Sequence, residues 1–364
     1  MRIVNTIVLL AAVLGIVSGQ TLTPKIVLPK DSPVGLLTYD FSNSTTSARG
    51  GTYIVDVRGS LSLRNETQRR IRSITLAVYA QEVAPGGVGS VTVPSLNVGP
   101  SETFSVRIEN HLLRPLVPGA GGPSVEVKLD GILFDDLSFY GPDSLNSQRS
   151  MTHWELEARR DRDHFKSLLK TAGSEGLRKE MLASLARQND RGPGVQMVRS
   201  RSTNVDSDRE IQLAFASMAE APVEVFAGTA RVSTNEASAP HFTVKNRSTR
   251  PIEHLDMGWI VKDAQGREFF AASTPADLKL APNQSGDVRQ DSALHFQQPV
   301  DIRSITGFLA GIEYADGTQW IPTRAALSLP ALRDHVPASP EEQRLLQIYN
   351  KKGLDSLIEE LKKF

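Results

Sequence analysis

The sequence predicts a mainly β protein made of two tandem antiparallel β-sandwich domains, each followed by a helical segment. The first observation behind this is a repeat, because residues 61–78 align with residues 242–259 without a gap. Three identities anchor the alignment: Asn65, Arg69 and Ile71 recur as Asn246, Arg250 and Ile252. The other two observations are apolar residues at every second position and helix-start signals after each copy. An internal repeat of this kind predicts an architecture built from copies of one unit.

Residues 1–19 are predicted to be a secretory signal peptide. Arg2 precedes a short apolar run from Ile7 to Val17, and the small residue Gly19 ends the segment before Gln20. This order of charge, apolar run and small residue is typical of signal peptides. The run is too short for a membrane span, which takes ~20 apolar residues. We therefore expect an exported protein, in the periplasm or outside the cell, with no transmembrane anchor in the mature chain.

Composition excludes several classes of function. The chain has no cysteine, so disulfides, thiolate metal sites and cysteine nucleophiles are excluded. It carries 41 basic and 41 acidic residues, without the clustered positive charge that nucleic-acid binding needs. We expect no nucleic-acid partner. An exported chain without disulfides indicates a bacterial envelope or secreted protein whose domains are stabilised by their cores.

Residues 20–143 are predicted to form the first sandwich, and residues 222–333 the second. Apolar and polar residues alternate at 74–78, 104–108 and 125–129, and again at 255–259. One apolar and one polar face is typical of a half-buried antiparallel strand. Turn pairs such as Asp-Gly separate these stretches, as expected for hairpins.

A helical hairpin is predicted at residues 144–190 and a C-terminal helical segment at residues 334–364. Thr152 and Glu155 form a capping box ahead of a charged helix, and Ser174 is placed to begin a second helix. Ser339 and Pro340 give a start signal of the same kind near the C-terminus. Between the copies, residues 191–221 are polar with a Gly-Pro-Gly break, and are interpreted mostly as a linker.

The sequence resembles a known class of module at a few positions. Its second copy carries an aromatic-x-Asp-Gly-Thr-x-Trp pattern downstream of Asn246, formed by Tyr314, Asp316, Gly317, Thr318 and Trp320. With the asparagine pattern, this resembles the immunoglobulin-like or FxLYD-like modules of uncharacterised bacterial exported proteins. The resemblance implies an Ig-like sandwich and no specific activity. The first copy departs from the pattern, with Leu137 in the place of Gly317.

No catalytic, cofactor-binding or metal-binding residues are predicted. The histidines lack metal-binding spacing, and His153 and His164 are too far apart on one helix to share an ion. Asn204, Asp206 and Asp208 alternate as in a calcium loop, which would also need a glycine and a glutamate that are absent here. Trp320 and Asp316 are the candidate ligand contacts, because a tryptophan can stack on a sugar. The simpler interpretation is a role at the rim of the core for Trp320 and a role in the turn for Asp316.

These observations favour a non-enzymatic exported protein whose duplicated modules bind an unknown protein partner or an envelope component. Sheet edges and apolar helix faces are the surfaces that would serve such contacts. The alternative is a glycan-binding or small-ligand-binding module near Trp320. A hydrolase with an unrecognised site is the third hypothesis.

Overall fold

The computed structural model describes residues 20–49, 51–80, 86–116, 124–189, 194–199 and 209–364. The predicted signal peptide and the three residues of the calcium-loop hypothesis lie outside these ranges. The prediction of a mainly β protein is confirmed. The chain divides into two compact units, Met1–Gln148 and Arg149–Phe364.

The first unit contains two five-stranded sheets. Its described strands, in chain order, are β1 Gln20–Thr21, β2 Lys25–Val27, β3 Val34–Asp40, β4 Thr45–Arg49, β5 Thr52–Asn65, β6 Ile71–Tyr79, β7 Val88–Val93, β8 Thr103–Pro115, β9 Glu126–Phe134 and β10 Phe139–Tyr140. One sheet has the order β1-β4-β5-β3 with β8 on the other side of β5, and the second has the order β10-β9-β6-β7 with β2 beside β9.

The two sheets of the first unit bury one shared core. Val57 and Leu61 of β5 and Ile108 of β8 meet Leu76 of β6 and Ile132 of β9 in a single apolar cluster. These residues occupy the apolar positions of the period-two pattern, and each is at most 1% exposed. Burial of one face on each sheet therefore fixes the register of the strands.

The second unit contains a ten-stranded, nearly closed sheet. Its described strands are β11 Val195–Arg199, β12 Arg209–Phe215, β13 Val223–Val232, β14 Glu236–Asn246, β15 Ile252–Asp263, β16 Glu268–Leu280, β17 Ser285–Arg289, β18 Ser292–Phe296, β19 Ile302–Tyr314 and β20 Gln319–Trp320. Their order is β11-β18-β14-β13-β12-β19-β15-β16, with β17 beside β14 and β20 beside β19.

The interpretation of residues 191–221 as a linker is wrong for the part that the structure describes. Strand β11 pairs with β18, and β12 joins the two halves of the sheet. The first residues of β12 pair antiparallel with β13, whereas Leu213, Ala214 and Phe215 pair parallel with β19. The polar composition hid these strands because β11 and the start of β12 are largely exposed.

The described residues of the second unit also form three helices: α1 Ser147–Asn189, α2 Arg324–Leu327 and α3 Pro340–Lys362. The boundary between the two units lies after Gln148, the second residue of α1. Helix α1 begins before the predicted capping box at Thr152, because Asp143 Oδ1 accepts a hydrogen bond from the Gln148 N–H at 2.9 Å. Ser339 caps α3 as predicted, accepting from the Glu342 N–H.

The helical segments pack against each other. Each contains one glycine with a left-handed backbone, Gly173 (φ 68°) in α1 and Gly353 (φ 84°) in α3, so that each folds back as a helical hairpin. Leu177 and Met181 of the first hairpin share an apolar cluster with Leu357 of the second. Among the described residues, no helix is long and apolar enough to cross a membrane.

Candidate functional site

The hairpin that carries Asp316 is held by Arg250. The Arg250 guanidinium lies 3.9 Å from the centre of the Tyr314 ring and donates to the Asp316 carboxylate at 2.5 Å. Asp316 Oδ1 also accepts from the Thr318 N–H at 3.0 Å, which closes a tight turn around Gly317. The carboxylate of Asp316 is therefore engaged within its own hairpin.

An equivalent arrangement occurs in the first unit. The Arg69 guanidinium lies 3.6 Å from the centre of the Phe134 ring and donates to Ser138 Oγ, which donates to Asp136. Leu137 there has the same left-handed backbone as Gly317, with φ 65° against 78°. The first unit thus keeps the turn despite the sequence difference at this position.

We predict that Arg250→Ala raises the pKa of the Asp316 carboxyl. Hydrogen bonds from Arg250 and Thr318 hold this pKa at about 2, against a model-peptide value of 3.8. The folded-state pKa is depressed, so this stabilisation is present above the unfolded-state pKa and is lost as pH falls through about 2. An NMR titration of the carboxyl carbon measures the shift, and Arg247→Ala, which changes an exposed arginine of the neighbouring turn, is the control. Equal pKa values in both variants would contradict the prediction.

Trp320 packs as part of the second unit's interior. It is half-buried, pairs with Ile312 across β19 and β20, and contacts both the main core and a smaller cluster that contains Phe308 and Ala326. The structure thus brings Trp320 and Asp316 onto one hairpin, where each has a role in packing or in the turn. Their role as ligand contacts stays a prediction.

A buried ionic cluster lies between the helices of the second unit. Arg162, 4% exposed, contacts Glu155 at 2.9 Å and Glu341 at 3.4 Å. Asp161 is fully buried and contacts Arg324 at 3.1 Å, while Ser339 donates to it at 2.5 Å. Each buried charge is thus held by an opposite charge on its own helix or on a facing helix. The cluster therefore joins the two helical hairpins and is interpreted as structural.

A polar groove on the first unit is a candidate binding surface. It has a volume of about 1030 Å³ and lies over the outer faces of β5 and β8 and the turn between β3 and β4. Three acidic and three basic side chains line it: Asp40, Asp56, Glu109, Arg58, Arg107 and His111. Asn43, Ser60 and Ser105 add neutral polar groups.

Strand register places these side chains in rows. Asp56 is directly opposite His111, and Arg58 is directly opposite Glu109. His111 Nδ1 lies 2.7 Å from Asp56 Oδ1, and Arg107 lies 2.6 Å from Glu109 on the same strand. Within the described part of the chain, Arg58 makes no such ion pair and is exposed. The groove therefore presents one available guanidinium among groups that are already paired.

A glycine forms part of the groove wall. A Cβ on Gly59 would lie 2.3 Å from the Asp40 carbonyl oxygen and 2.4 Å from the Phe41 ring. Only glycine fits where β5 passes the end of β3 this closely. Sequence reasoning missed this groove because its residues are the polar half of an alternating pattern. That half is normally only solvated, and the pairing of β5 with β8 is not visible in the sequence.

Comparisons with known proteins do not assign the chain to a family. No protein family and no curated protein matches the chain. Solved structures with a partial likeness include a β-glucosidase from Kluyveromyces marxianus in complex with glucose, at 10% identity and a TM-score of 0.18, covering 78% of this chain and 47% of that chain. A red sea bream transglutaminase is similar at 8% identity and a TM-score of 0.15, over 80% of this chain and 31% of that one. Likeness at this level supports no inference about fold or activity.

Proposed function

We propose that the chain is a non-enzymatic exported protein that binds another protein or an envelope component through the polar groove of its first unit. The observation that carries this proposal is the groove itself, with the available Arg58 among paired charges on a rigid sheet. Mixed charges arranged in rows suit a partner surface of complementary charge, which gives specificity and faster association. The exposure of His111, at 62%, favours binding over catalysis because water surrounds its imidazole.

The proposal also concerns the origin of the two units. We infer that the two units derive from one duplicated, Ig-like sandwich module, since Asn65 and Asn246 make the same turn and Arg69 and Arg250 stack on equivalent aromatic rings. The first unit then carries the binding surface. The second unit, with its paired helical hairpins, supplies a stable body.

Arg58→Glu is expected to weaken binding at least about tenfold, as loss of a central charge contact does. The purified chain would be used to recover partners from an envelope extract of the native host at two salt concentrations, and the affinity for the recovered component would be measured. Arg64→Glu is the matched control, because Arg64 lies on the same strand and the same face outside the groove. Equal affinities of the two variants would reject the groove as the binding site.

Glycan binding is the second candidate, favoured by the hydroxyl-binding side chains of the groove. Asp, Asn, Arg and Ser side chains can hydrogen-bond sugar hydroxyls. The groove's described lining contains no Phe, Tyr or Trp ring for stacking on a sugar, which favours a protein partner. Recovery of polysaccharide instead of protein, abolished by Arg58→Glu and kept by Arg64→Glu, would decide for the glycan.

A further inference from the structure

From Thr103 to His111, no described strand pairs with the outer edge of β8. This strand is 13 residues long and, within the described residues, pairs only with β5. In the second unit, by contrast, β18 lies beside β14 and has β11 on its other edge. An unpaired edge offers a row of backbone N–H and C=O groups to another strand.

The hydrogen bonds show which backbone groups point outward. The Leu113 N–H donates to the Gly86 carbonyl at 2.8 Å, so the backbone of Leu113 points away from β5. Pairing with β5 runs without a bulge, and backbone direction alternates along a strand. The N–H and C=O groups of Arg107, Glu109 and His111 therefore also point to the open edge. The bond from Leu113 to Gly86 closes the edge at that end.

The open segment is complementary to itself. If a second copy pairs antiparallel with its two-fold axis at Ile108, Arg107 of each copy lies directly opposite Glu109 of the other. Because both residues direct their backbone groups outward, these two positions form the hydrogen-bonded pairs of the ladder. Opposite charges directly across a ladder stabilise pairing.

The same charges disfavour the neighbouring registers. Centring the axis on Arg107 would place two arginines opposite each other, and centring it on Glu109 would place two glutamates opposite each other. Charged residues on an open edge normally prevent pairing. Here they leave one register favourable, so they select a single symmetric partner.

We propose that two copies of this chain associate edge to edge through β8, with the two-fold axis at Ile108. The interface is isologous, as in most symmetric dimers, and it extends one sheet across both copies. Two polar grooves then lie side by side on the outer face of the joined sheet. The inference does not depend on the proposed function, because it rests on the edge of β8 and on no ligand of the groove.

The test uses charge reversal in the full purified chain, with mass measured by analytical ultracentrifugation over a concentration series. Wild type is expected to be a dimer that dissociates on dilution. Arg107→Glu and Glu109→Arg are each expected to be monomers, because each places like charges opposite each other. Both side chains are exposed, 82% and 59%, so the fold should survive, and circular dichroism checks this.

The decisive sample is the mixture of the two monomeric variants. In a mixed pair, the Arg107→Glu chain has glutamate at both positions and the Glu109→Arg chain has arginine at both. Opposite charges then face each other at both pairs of the ladder, so heterodimers should form. Arg64→Glu, on β5 away from the edge, should dimerise like wild type. The proposal is overturned if wild type is a monomer throughout the series, if either reversal leaves the dimer intact, or if the mixture stays monomeric. Loss of ligand binding in Arg58→Glu with the dimer intact would separate this result from the proposed function.

Discussion

Replacing Asn65 with alanine is expected to lower the free energy of unfolding of the first unit by about 2–4 kcal/mol, since several buried hydrogen bonds lose their partner at once. Asn65 is fully buried. Its Nδ2 group donates to the carbonyls of Arg69, Val98 and Gly99 at 2.8, 3.2 and 3.1 Å. Its Oδ1 accepts from both the N–H and the hydroxyl of Thr67. One side chain thus joins the turn between β5 and β6 to the segment that leads into β8.

The two units can be followed separately during unfolding. All three tryptophans, Trp154, Trp259 and Trp320, lie in the second unit. Urea unfolding followed by hydrogen exchange in the first unit should therefore shift in Asn65→Ala, while the tryptophan fluorescence transition stays in place. Asn246→Ala should produce the opposite pattern, because Asn246 makes the corresponding bonds to Arg250 and Leu280.

An exposed asparagine provides the control. Asn43 lies on the surface of the same unit, and Asn43→Ala should change stability by less than about 0.5 kcal/mol. Asn65→Asp tests the direction of the hydrogen bonds, because it would turn an oxygen towards carbonyl groups that now receive a donor. We expect it to be at least as destabilising as alanine. Equal stability of Asn65→Ala and Asn43→Ala would contradict the proposed role of Asn65.

The sequence repeat predicts this turn because its chemistry is local. Asn65 binds residues two and four positions later, so spacing alone brings the partners together. The matching pattern at Asn246 predicts the same geometry, and the structure confirms it. Both asparagines are fully buried, and each accepts a hydrogen bond from the backbone N–H two residues later.

The pairing of the helical hairpins was beyond local reasoning. When the helical segments after the two copies are aligned, Gly176 falls opposite Gly353, but the left-handed glycine of the first hairpin is Gly173. The helix start predicted at Ser174 agrees with the break at Gly173, but the packing of Leu177 and Met181 with Leu357 is not visible in the sequence. The groove was missed for a related reason. Asp56 and His111 are far apart in the chain, and nothing near either residue shows that β5 and β8 are neighbours.

Replacing Arg162 with methionine is expected to lower the free energy of unfolding of the second unit by about 3–5 kcal/mol, the cost of leaving buried charges without their partner. Arg162 lies on α1, and its guanidinium contacts Glu155 and Glu341. Their side chains are 2% and 0% exposed, so water cannot replace the lost contacts. The change also removes one of the links between α1 and α3. Guanidinium chloride unfolding followed by tryptophan fluorescence measures the effect, because all three tryptophans lie in the second unit.

The same carboxylate supplies a matched control. Arg159 also contacts Glu155, at 3.0 Å, but its side chain is 37% exposed. Arg159→Met should cost less than about 1 kcal/mol, because partly solvated ion pairs contribute little. Both arginines pair with Glu155, but only Arg162 is buried. Comparing the two variants therefore shows how much of the lost stability comes from burial of the ion pair. Similar losses in both variants would show that the charge cluster does not depend on the exclusion of water.

Removing the charges together should restore much of the stability. The triple variant Glu155→Gln, Arg162→Met and Glu341→Gln removes three buried ions together, and their desolvation cost disappears. Arg159 loses its partner Glu155 but is partly solvated, and Arg344 loses Glu341 but keeps Glu360. We expect it to be more stable than Arg162→Met alone, which is the reverse of additive behaviour. A triple variant that is less stable than the single one would mean that the ions themselves hold the hairpins together. A triple variant that regains stability would instead show that the apolar cluster of Leu177, Met181 and Leu357 supplies most of the stability between the hairpins. The charges would then chiefly determine which faces of the two hairpins pack together.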